Sequence, residues 1–576
     1  MTSVNVRIAG ANGDGVESSG AMLVKVAAKN GMHAFAYRGF QSIIRGGHVW
    51  NQVRISDEKL YIHGDGIDIL VALNQDSVRN QQSHLNKNAA IIYDPSKINV
   101  EGVRSDVKLI KIPLLDIAVQ VSGDPIMRNV VAIGAVLKMI GINIDVFNEI
   151  VKDMFTRKGE KVVNDNIKAA VTGYNYSGVE KLFEIHGDSK KRYYLDGNTA
   201  LAIGAYASGC KFYAAYPMTP ASGILHWFAA HENKGVLYKQ TEDELAAINM
   251  TIGAASTGVR SMCGTSGGGF SLMVEALGMA GMLEVPIVVV NSQRTGPSTG
   301  LPTKTEQGDL LFVMHASQGE FPRIVIAPGS VEESFTLTSE AFNLADRYQC
   351  PVIILMDLYI SEHVETIDGF DFDKVIIDRG KIAEKSDGRF KRYLFTEDGV
   401  SPRAFPGTPG MEFVAPSDEH DEYGDLVSDA LSGIDEYVEV RVKMQNKRMR
   451  KIDTMLKNES VFVPKVENEK ADYFFVTFGS TVGPVKEAIQ ILNKSGSNFG
   501  LIQFDYIMPL NAGKTEQILA NKKLIDVECN FTGQLAHVIK ANTGIDINNR
   551  ILKYDGEAFT GKEIADKAAS IIANSK

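Results

Sequence analysis

The segment VRSMCGTSGGGFSLMVEALGMAGMLEVPIVVVN (residues 259–291) decides the fold class of the chain. It begins with the strand candidate VRSMCG (259–264), passes through a glycine loop into an apolar helix candidate, and ends with the strand candidate VPIVVVN (285–291). Short apolar runs on either side of a helix are typical of parallel strands that are buried on both faces. The segment therefore predicts an α/β domain.

The same alternation of strands and helices extends in both directions along the 576 residues. It predicts three doubly wound or Rossmann-like α/β domains with mostly parallel sheets, at residues 1–175, 196–365 and 466–576. A polar linker at 176–195 separates the first two domains. An irregular covering arm with a helix, at 366–465, separates the last two, and it is too long for a plain loop.

The composition excludes several classes of protein. A net charge of −10, 44% hydrophobic and 23% charged residues are typical of a soluble globular protein without a nucleic-acid partner. No apolar run approaches the roughly 18 residues of a membrane span, and the N-terminus does not resemble a secretory signal. We therefore expect a cytoplasmic protein without a membrane partner. The spacing of its cysteines fits neither a zinc nor an iron–sulfur site, so we expect no metal in this chain; they are Cys210, Cys263, Cys350 and Cys529.

Two glycine clusters in the first predicted domain (residues 1–175, the first block) are candidate phosphate sites. GANGDG, with Gly10, Gly13 and Gly15, follows a strand and opens a helix, whose N-terminus attracts anions. The second strand ends without the carboxylate that an NAD site needs, so a nucleotide-like phosphate such as that of coenzyme A is the functional interpretation. A tight strand-to-helix turn is the structural alternative. The second cluster, Arg45-Gly46-Gly47, fits an anion or an ordinary β-turn equally well.

Polar loops follow three strands of the middle predicted domain (residues 196–365, the middle block). YPMTP (216–220) is stiffened by two prolines and presents Thr219, GTSGGG (264–269) contains Thr265 and Ser266, and the third loop begins at Arg294. Ligands of α/β sheets bind where strands end, so the three loops together predict one site. Arg294 suits a carboxylate because its guanidinium bonds in a bidentate way, although an ion pair that anchors the loop would also explain it.

Glu242-Asp243-Glu244 opens a helix after another strand. Acidic residues are common in a first helical turn because they interact favourably with the helix dipole. The residues that follow are small and apolar, so this helix is expected to pack closely. A carboxylate at its start would then be partly buried, where it could hydrogen-bond to a ligand nitrogen.

These motifs, in this order, resemble the α subunit of 2-oxoacid:ferredoxin oxidoreductases that carry their γ domain at the N-terminus. YPMTPAS (216–222) is similar to the family's YPITP signature, with Met218 where isoleucine is usual. The other segments that carry the resemblance are SIIRGGH (42–48), EDELAAINMTIGAASTG (242–258), GTSGGGFSLM (264–273), QRTGPSTGLPTKTEQGDL (293–310), DGVSPRAFPGTPG (398–410), VECNFTGQLA (527–536) and KYDGEAFTGKEI (553–564).

The resemblance implies an enzyme that uses thiamine diphosphate to decarboxylate a 2-oxoacid oxidatively, with coenzyme A as acyl acceptor and ferredoxin as electron acceptor. It makes residues 1–175 a γ-type domain associated with coenzyme A, 196–365 the domain that binds the thiamine pyrimidine, and 466–576 a transketolase-like domain. Glu244 becomes the glutamate that bonds the aminopyrimidine, with Glu242 as the competing assignment.

The resemblance also implies roles for the loop residues. Thr219 and Arg294 would bind the 2-oxoacid, and Lys304 would bind a second acidic group on it. The remaining cofactor contacts would come from Tyr216, Pro217, Thr265 and Ser266.

Part of the cofactor site is missing from the sequence. Thiamine enzymes bind the diphosphate and Mg²⁺ with Gly-Asp-Gly followed by Asn-Asn, and neither Gly13-Asp14-Gly15 nor Gly64-Asp65-Gly66 is followed by that pair at the family's spacing. Clustered cysteines for an iron–sulfur cluster are missing as well. The resemblance therefore implies a separate β subunit that holds the diphosphate, the Mg²⁺ and a [4Fe–4S] cluster, in an αβ or α2β2 assembly.

Three interpretations of the function remain open at this stage. The first is an enzyme subunit for 2-oxoglutarate or a broad range of 2-oxoacids, and the second changes the substrate to pyruvate or an aryl pyruvate. The third is a non-catalytic scaffold that binds only coenzyme A or a nucleotide. Polar loops that share one pocket at a subunit interface would favour an enzyme, and a Glu244 fully enclosed within one chain would favour the scaffold.

Overall fold

The computed structural model describes residues 3–41, 46–188, 190–428 and 434–574. The chain divides into two compact units. The first unit contains residues 1–196 and 363–369, and the second contains residues 197–362 and 370–576.

The strands and helices alternate along most of the chain, as the sequence predicts. The strands are β1 Ser3–Asn12, β2 His33–Gly39, β3 Gly46–Ser56, β4 Ile67–Ala72, β5 Leu85–Tyr93, β6 Lys108–Lys111, β7 Tyr193–Asp196, β8 Phe212–Ala215, β9 Leu237–Gln240, β10 Ser261–Thr265, β11 Val288–Gln293, β12 Ile324–Ile326, β13 Val352–Asp357, β14 Val364–Ile367, β15 Lys465–Glu467, β16 Tyr473–Thr477, β17 Phe499–Gln503, β18 Tyr506–Met508, β19 Leu524–Glu528 and β20 Asn549–Leu552. The helices are α1 Val16–Lys29, α2 Gln75–Gln81, α3 Leu114–Ser122, α4 Arg128–Met139, α5 Ile144–Phe155, α6 Glu160–Tyr174, α7 Gly197–Ala207, α8 Ser222–Ala230, α9 Glu244–Ser256, α10 Gly267–Met282, α11 Leu310–His315, α12 Val331–Tyr348, α13 Leu358–Glu362, α14 Ile434–Asn458, α15 Val482–Lys494, α16 Ala512–Leu519, α17 Gln534–Thr543 and α18 Gly561–Asn574.

The sheet of the first unit has the strand order β6-β5-β4-β1-β3-β2-β14-β7. Strands β1, β4, β5 and β6 are parallel to one another, whereas the pairings of β1 with β3, β3 with β2, β2 with β14 and β14 with β7 are antiparallel. The connection between β2 and β3 is too short for the helical crossover that parallel strands require. This sheet is therefore more mixed than the sequence predicts.

The second unit contains two sheets, with the strand orders β18-β12-β13-β11-β10-β8-β9 and β15-β17-β16-β19-β20. Apart from the edge strands β18 and β15, neighbouring strands are parallel. Strand β18 comes from the last block of sequence, yet it pairs with β12 of the middle block. The two blocks also share one apolar core, in which Val289 and Ile353 of the first sheet join Phe474 and Ile502 of the second.

Buried ion pairs attach helix α14, which follows the irregular arm, to this unit. The Lys447 and Lys451 ammonium groups each lie 2.6 Å from the Glu284 carboxylate, and all three side chains are buried. Burial lowers the pKa of Lys447 to about 7, although Glu284 opposes the change. Buried charges are tolerated only when they are paired, so this cluster defines how α14 docks.

Within the described ranges, the helices include none that combines the length and the apolar character needed to cross a membrane.

Candidate functional site

The predicted polar loops meet at one edge of one sheet. YPMTP follows β8, Glu242-Asp243 follows β9, Ser266 follows β10, and Arg294 follows β11. These strands are neighbours, in the order β11-β10-β8-β9, and they are parallel. Their carboxyl ends therefore form one rim, where ligands of α/β sheets bind.

The structure separates the two candidate glutamates. Asp243 caps helix α9, since its side chain accepts a hydrogen bond from the Ala246 amide at 2.8 Å. Glu244 is the first residue of that helix and is 3% exposed, whereas Glu242 is exposed to solvent. Glu244 lies within 3.4 Å of the Thr265 hydroxyl. Burial at the rim thus favours Glu244 over Glu242.

The glycine loop 264–269 packs tightly against Glu244 and contains a buried polar group. A Cβ atom on Gly269 would stand 2.4 Å from the Glu244 carboxylate, so glycine is required there. The Ser266 hydroxyl is buried and has no hydrogen-bond partner among the residues that the structure describes. Buried polar groups are seldom left unpaired, so this hydroxyl suits a polar atom of a ligand bound at the rim.

Arg294 and Thr219 are brought together as the sequence predicts. The Arg294 guanidinium donates a hydrogen bond to the Thr219 carbonyl at 2.8 Å. Partial burial lowers the pKa of Arg294, and the Asp309 carboxylate opposes that change. The guanidinium is thus fixed at the rim, where a carboxylate could bind to it.

Two carboxyl groups that the sequence left without a role lie near Arg294. Asp309 accepts a hydrogen bond from the Asn291 amide at 3.1 Å. Burial raises the pKa of Asp309, and burial followed by the charge of Asp309 raises the pKa of Glu306. Both residues belong to the quoted segment QRTGPSTGLPTKTEQGDL, but no local pattern marks either as part of the site.

The remaining predicted residues of the rim lie in different surroundings. Thr265 is buried and donates to the Met218 sulfur at 3.8 Å. Tyr216 is exposed and Pro217 half-buried at the outer side of the loop. The Lys304 ammonium contacts the Glu557 carboxylate, so its charge already has a partner in this chain.

The first glycine cluster borders a cavity of about 570 Å³ in the first unit. Gly13, Gly15, Arg38 and Trp50 are among the residues that line it. Asp14 accepts a hydrogen bond from the Ala11 amide at 2.9 Å and pairs with Arg128 at 2.7 Å. One amide of the loop is therefore already used by the protein itself.

The other predicted phosphate residues are only partly placed. Gly10 lies within β1, Gly46 begins β3, and Gly47 follows with a φ of +72°. Arg45 falls outside the described residues, so its predicted role stays a prediction.

Models of protein families match three segments of the chain. Residues 203–439 match "Pyruvate flavodoxin/ferredoxin oxidoreductase, thiamine diP-bdg". Residues 5–176 match "Pyruvate ferredoxin/flavodoxin oxidoreductase". Residues 471–564 match "Pyruvate:ferredoxin oxidoreductase core domain II". The middle block is thus a thiamine diphosphate-binding domain.

Curated relatives are similar to the chain over nearly its full length. The α subunit of a 2-oxoacid:ferredoxin oxidoreductase from a Sulfolobus species is 34% identical, with 98% of this chain and 96% of the relative aligned. The corresponding subunit from Saccharolobus solfataricus is 33% identical over 98% of this chain and 97% of the relative.

A solved structure has the same fold. The 2-oxoglutarate:ferredoxin oxidoreductase from Magnetococcus marinus, with 2-oxoglutarate, coenzyme A and succinyl-CoA bound, aligns with a TM-score of 0.92 and 33% identity. The alignment covers 99% of this chain and 100% of that chain.

Glu244 is buried within this chain, which is the condition stated above for a scaffold. The polar loops lie on one rim of one sheet, and a pocket at a subunit interface, which is the condition stated for an enzyme, stays a prediction. Full-length similarity to enzyme subunits decides between them in favour of the enzyme. The chain therefore belongs to the 2-oxoacid:ferredoxin oxidoreductases, as an α subunit.

Proposed function

We propose that this chain supplies the pyrimidine and carboxylate side of an active site that converts a 2-oxoacid and coenzyme A to acyl-CoA and CO2, with electrons passing to ferredoxin. The observation that carries the proposal is the common rim on which buried Glu244 and the paired Thr219 and Arg294 lie. When bound, thiamine diphosphate supplies the carbanion centre and the electron sink for decarboxylation.

Glu244 is proposed to hydrogen-bond to the aminopyrimidine N1′, whose ring lone pair is the acceptor. Its burial supports this role, because a hydrogen bond is stronger where water is excluded. The Ser266 hydroxyl, which is buried and has no hydrogen-bond partner within the described ranges, would satisfy a second polar atom of the ring, and Thr265 would orient the carboxylate. Tyr216 and Pro217 would form the outer wall.

Arg294 is proposed to bind the 2-oxoacid carboxylate, and the Thr219 hydroxyl to bond the same group or the keto oxygen. The bond from Arg294 to the Thr219 carbonyl holds the guanidinium before substrate arrives, which reduces the entropy lost on binding.

A matched pair of glutamates tests the assignment. In the assembled enzyme, Glu244→Gln should reduce kcat by at least 100-fold, the range of a lost proton-transfer group, while subunit assembly stays intact. Glu242→Gln changes an exposed carboxylate two residues away and should leave kcat within about twofold. Normal turnover of the Glu244 variant would contradict the proposal.

A partner β subunit is proposed to hold the diphosphate, the Mg²⁺ and a [4Fe–4S] cluster. The absence of an Asn-Asn pair at the family's spacing after either Gly-Asp-Gly supports it, as do the unclustered cysteines. Leu245, next to Glu244 in the sequence, and Leu272 on α10 also support it, because they leave 47% and 48% of their surface exposed. An αβ or α2β2 assembly would cover them. If the purified chain alone reduced ferredoxin or a viologen dye with 2-oxoacid and coenzyme A, the two-subunit proposal would fail.

Coenzyme A is proposed to bind in the cavity beside the first glycine cluster. Arg38 offers a cation for phosphate, and Trp50 offers an aromatic surface. Coenzyme A titrated against the assembled enzyme should quench Trp50 fluorescence, and the quenching should be absent from Trp50→Phe.

The substrate is proposed to be 2-oxoglutarate or a broad range of 2-oxoacids, with pyruvate or an aryl pyruvate as the alternative. The bound 2-oxoglutarate of the Magnetococcus enzyme supports the first choice. Lys304 is the candidate for binding a second acidic group of the substrate, and it can do so only if its ion pair with Glu557 breaks. A turnover panel of mono- and dicarboxylic 2-oxoacids, repeated with Lys304→Met, decides between the substrates.

The free, buried cysteines support a proposed cytoplasmic location.

A further inference from the structure

The loop that carries Arg294, residues 294–309 (the substrate loop), is fastened at its far end by Gln307. This side chain is fully buried. Its amide nitrogen donates to the Phe478 carbonyl at 3.0 Å. Its amide oxygen accepts from the Thr481 hydroxyl at 2.8 Å and from the Cys529 backbone N–H at 3.0 Å. Both the nitrogen and the oxygen of the side-chain amide are thus hydrogen-bonded to the C-terminal block (residues 466–576).

The backbone around Gln307 is bound to the same block. The Gln307 amide donates to the Cys529 carbonyl at 2.6 Å, and the Asn530 side chain donates to the Gln307 carbonyl at 3.1 Å. The Gln534 side chain donates to the Gly308 carbonyl at 2.7 Å. A loop normally satisfies such groups with water or with itself, so these bonds form a built attachment.

The C-terminal block is shaped to receive the loop. Gly479 has a φ of +59°, and a Cβ atom there would stand 2.8 Å from the Gln307 amide nitrogen. Gly556 has a φ of +83°, and a Cβ atom there would stand 3.0 Å from Lys304. The Thr305 amide donates to the Gly556 carbonyl at 3.2 Å. Glycine at both positions permits the close approach.

Short links connect the fastened end of the loop to Arg294. The Thr295 amide donates to the Lys304 carbonyl at 3.0 Å, and its hydroxyl donates to the Thr305 carbonyl at 3.2 Å. The Asp309 amide donates to the Gln293 side chain at 2.9 Å. Both residues that flank Arg294 are therefore held by the part of the loop that Gln307 fixes.

We propose that Gln307 is a positioning residue for substrate binding, which sets the place of Arg294 by fastening the substrate loop to the C-terminal block. The proposal rests on the proposed role of Arg294 toward the 2-oxoacid carboxylate. It gives the C-terminal block a part in substrate binding although that block contributes no residue to the predicted contacts.

The test compares two buried glutamines in the assembled enzyme. Gln307→Met removes the side-chain bonds at similar volume and should raise KM for the 2-oxoacid roughly tenfold or more, since small displacements of a binding group have effects of up to 100-fold. The kcat at saturation and the retention of thiamine diphosphate should change by less than about twofold. Gln349→Met is the control, because Gln349 is equally buried but bonds to Ser401 and Arg392. It should lower Tm without raising KM.

Thr481→Val is a milder variant should Gln307→Met fail to fold, because it removes one hydroxyl that donates to Gln307. It should raise KM severalfold. Arg294→Ala then completes a double-mutant cycle with either variant. If Gln307 acts through Arg294, the second substitution adds little to the KM of Arg294→Ala.

Full additivity in this cycle, or an unchanged KM in both variants of the attachment, would overturn the inference while leaving the proposed function intact. An Arg294→Ala enzyme with normal use of the 2-oxoacid would instead overturn the proposed role of Arg294, and this inference with it.

Discussion

Asp309 places a carboxyl group next to the proposed carboxylate-binding Arg294. Burial raises its pKa above the ordinary 3.8, so the group gains its negative charge at a higher pH than usual. As the pH rises through that pKa, the new charge weakens the field that Arg294 presents to an anionic substrate. We therefore expect KM for the 2-oxoacid to rise with pH in the acidic range.

Asp309→Asn removes the titration while keeping the size of the side chain. We expect a lower KM at pH 7 to 8, by severalfold, and a flatter pH profile than in the unsubstituted enzyme. Steady-state KM values from pH 5 to 8 measure both. Parallel profiles for the two enzymes would show that Asp309 does not face the substrate.

Single candidate residues of the site could be selected from the sequence where a local pattern marks them. Glu244, Thr219 and Arg294 each follow a strand, and the rule that ligands bind at strand ends selects them. Gln307 and Asp309 lie in the same quoted segment, yet their partners come from β11 and from the C-terminal block. No spacing within the segment reveals partners so distant in sequence.

Among the elements, the turn between β17 and β18 contains a buried carboxyl group. Burial, helped by the charge of Glu333, raises the pKa of Asp505 to about 6, although the neighbouring Lys465 ammonium opposes the rise. The folded state thus binds this proton more tightly than the unfolded chain, whose pKa is near 3.8. The stabilisation is present below pH 4 and is lost as the pH rises through 6.

Asp505→Asn should therefore raise the stability of the protein at pH 8, by up to about 3 kcal/mol, and change it little at pH 4. The difference in Tm between variant and unsubstituted protein, measured from pH 4 to 8, is the readout. A difference that is constant across this range would contradict the prediction.

The glycine loop before α1 allows a second test at this scale. Gly15 has a φ of +77°, and a Cβ atom there would stand 2.1 Å from the Asn129 side chain. Gly13 has a φ of +104° but open space around it. Gly15→Ala should therefore lower Tm and raise KM for coenzyme A more than Gly13→Ala, with a stability loss of about 2 kcal/mol or more. Equal effects of both substitutions would contradict this ranking.

The elements themselves were largely predictable, because periodicity marks buried strands and helices. The pairing of the short strands could not be predicted from the sequence. Four residues, Val364–Ile367, carry no signal that assigns them to the sheet of the first unit, and three residues, Tyr506–Met508, carry none that assigns them to the sheet of the middle block. Such pairings depend on contacts between residues far apart in sequence.

For the whole molecule, the three predicted α/β blocks lie in two compact units, because the middle and C-terminal blocks belong to the same unit. The middle and C-terminal blocks share a core and cooperate in holding the substrate loop. In the proposed function this chain lacks the diphosphate side of the site, and a β subunit would supply it at a surface that the isolated chain leaves uncovered. Leu245 on α9 and Leu272 on α10 belong to that surface in our proposal.

Leu245→Asp and Leu272→Asp should therefore reduce co-purification of the β subunit at least tenfold, because a charge in the centre of an apolar interface is left without a partner. Val442→Asp is the matched control, since Val442 is 53% exposed and belongs to α14 rather than to α9 or α10. It should leave assembly and turnover unchanged. Each variant chain alone should keep its Tm, because these side chains are largely exposed in it. If the leucine variants assembled normally, the β subunit would have to dock on another face, and Glu244 would then be reached from within this chain.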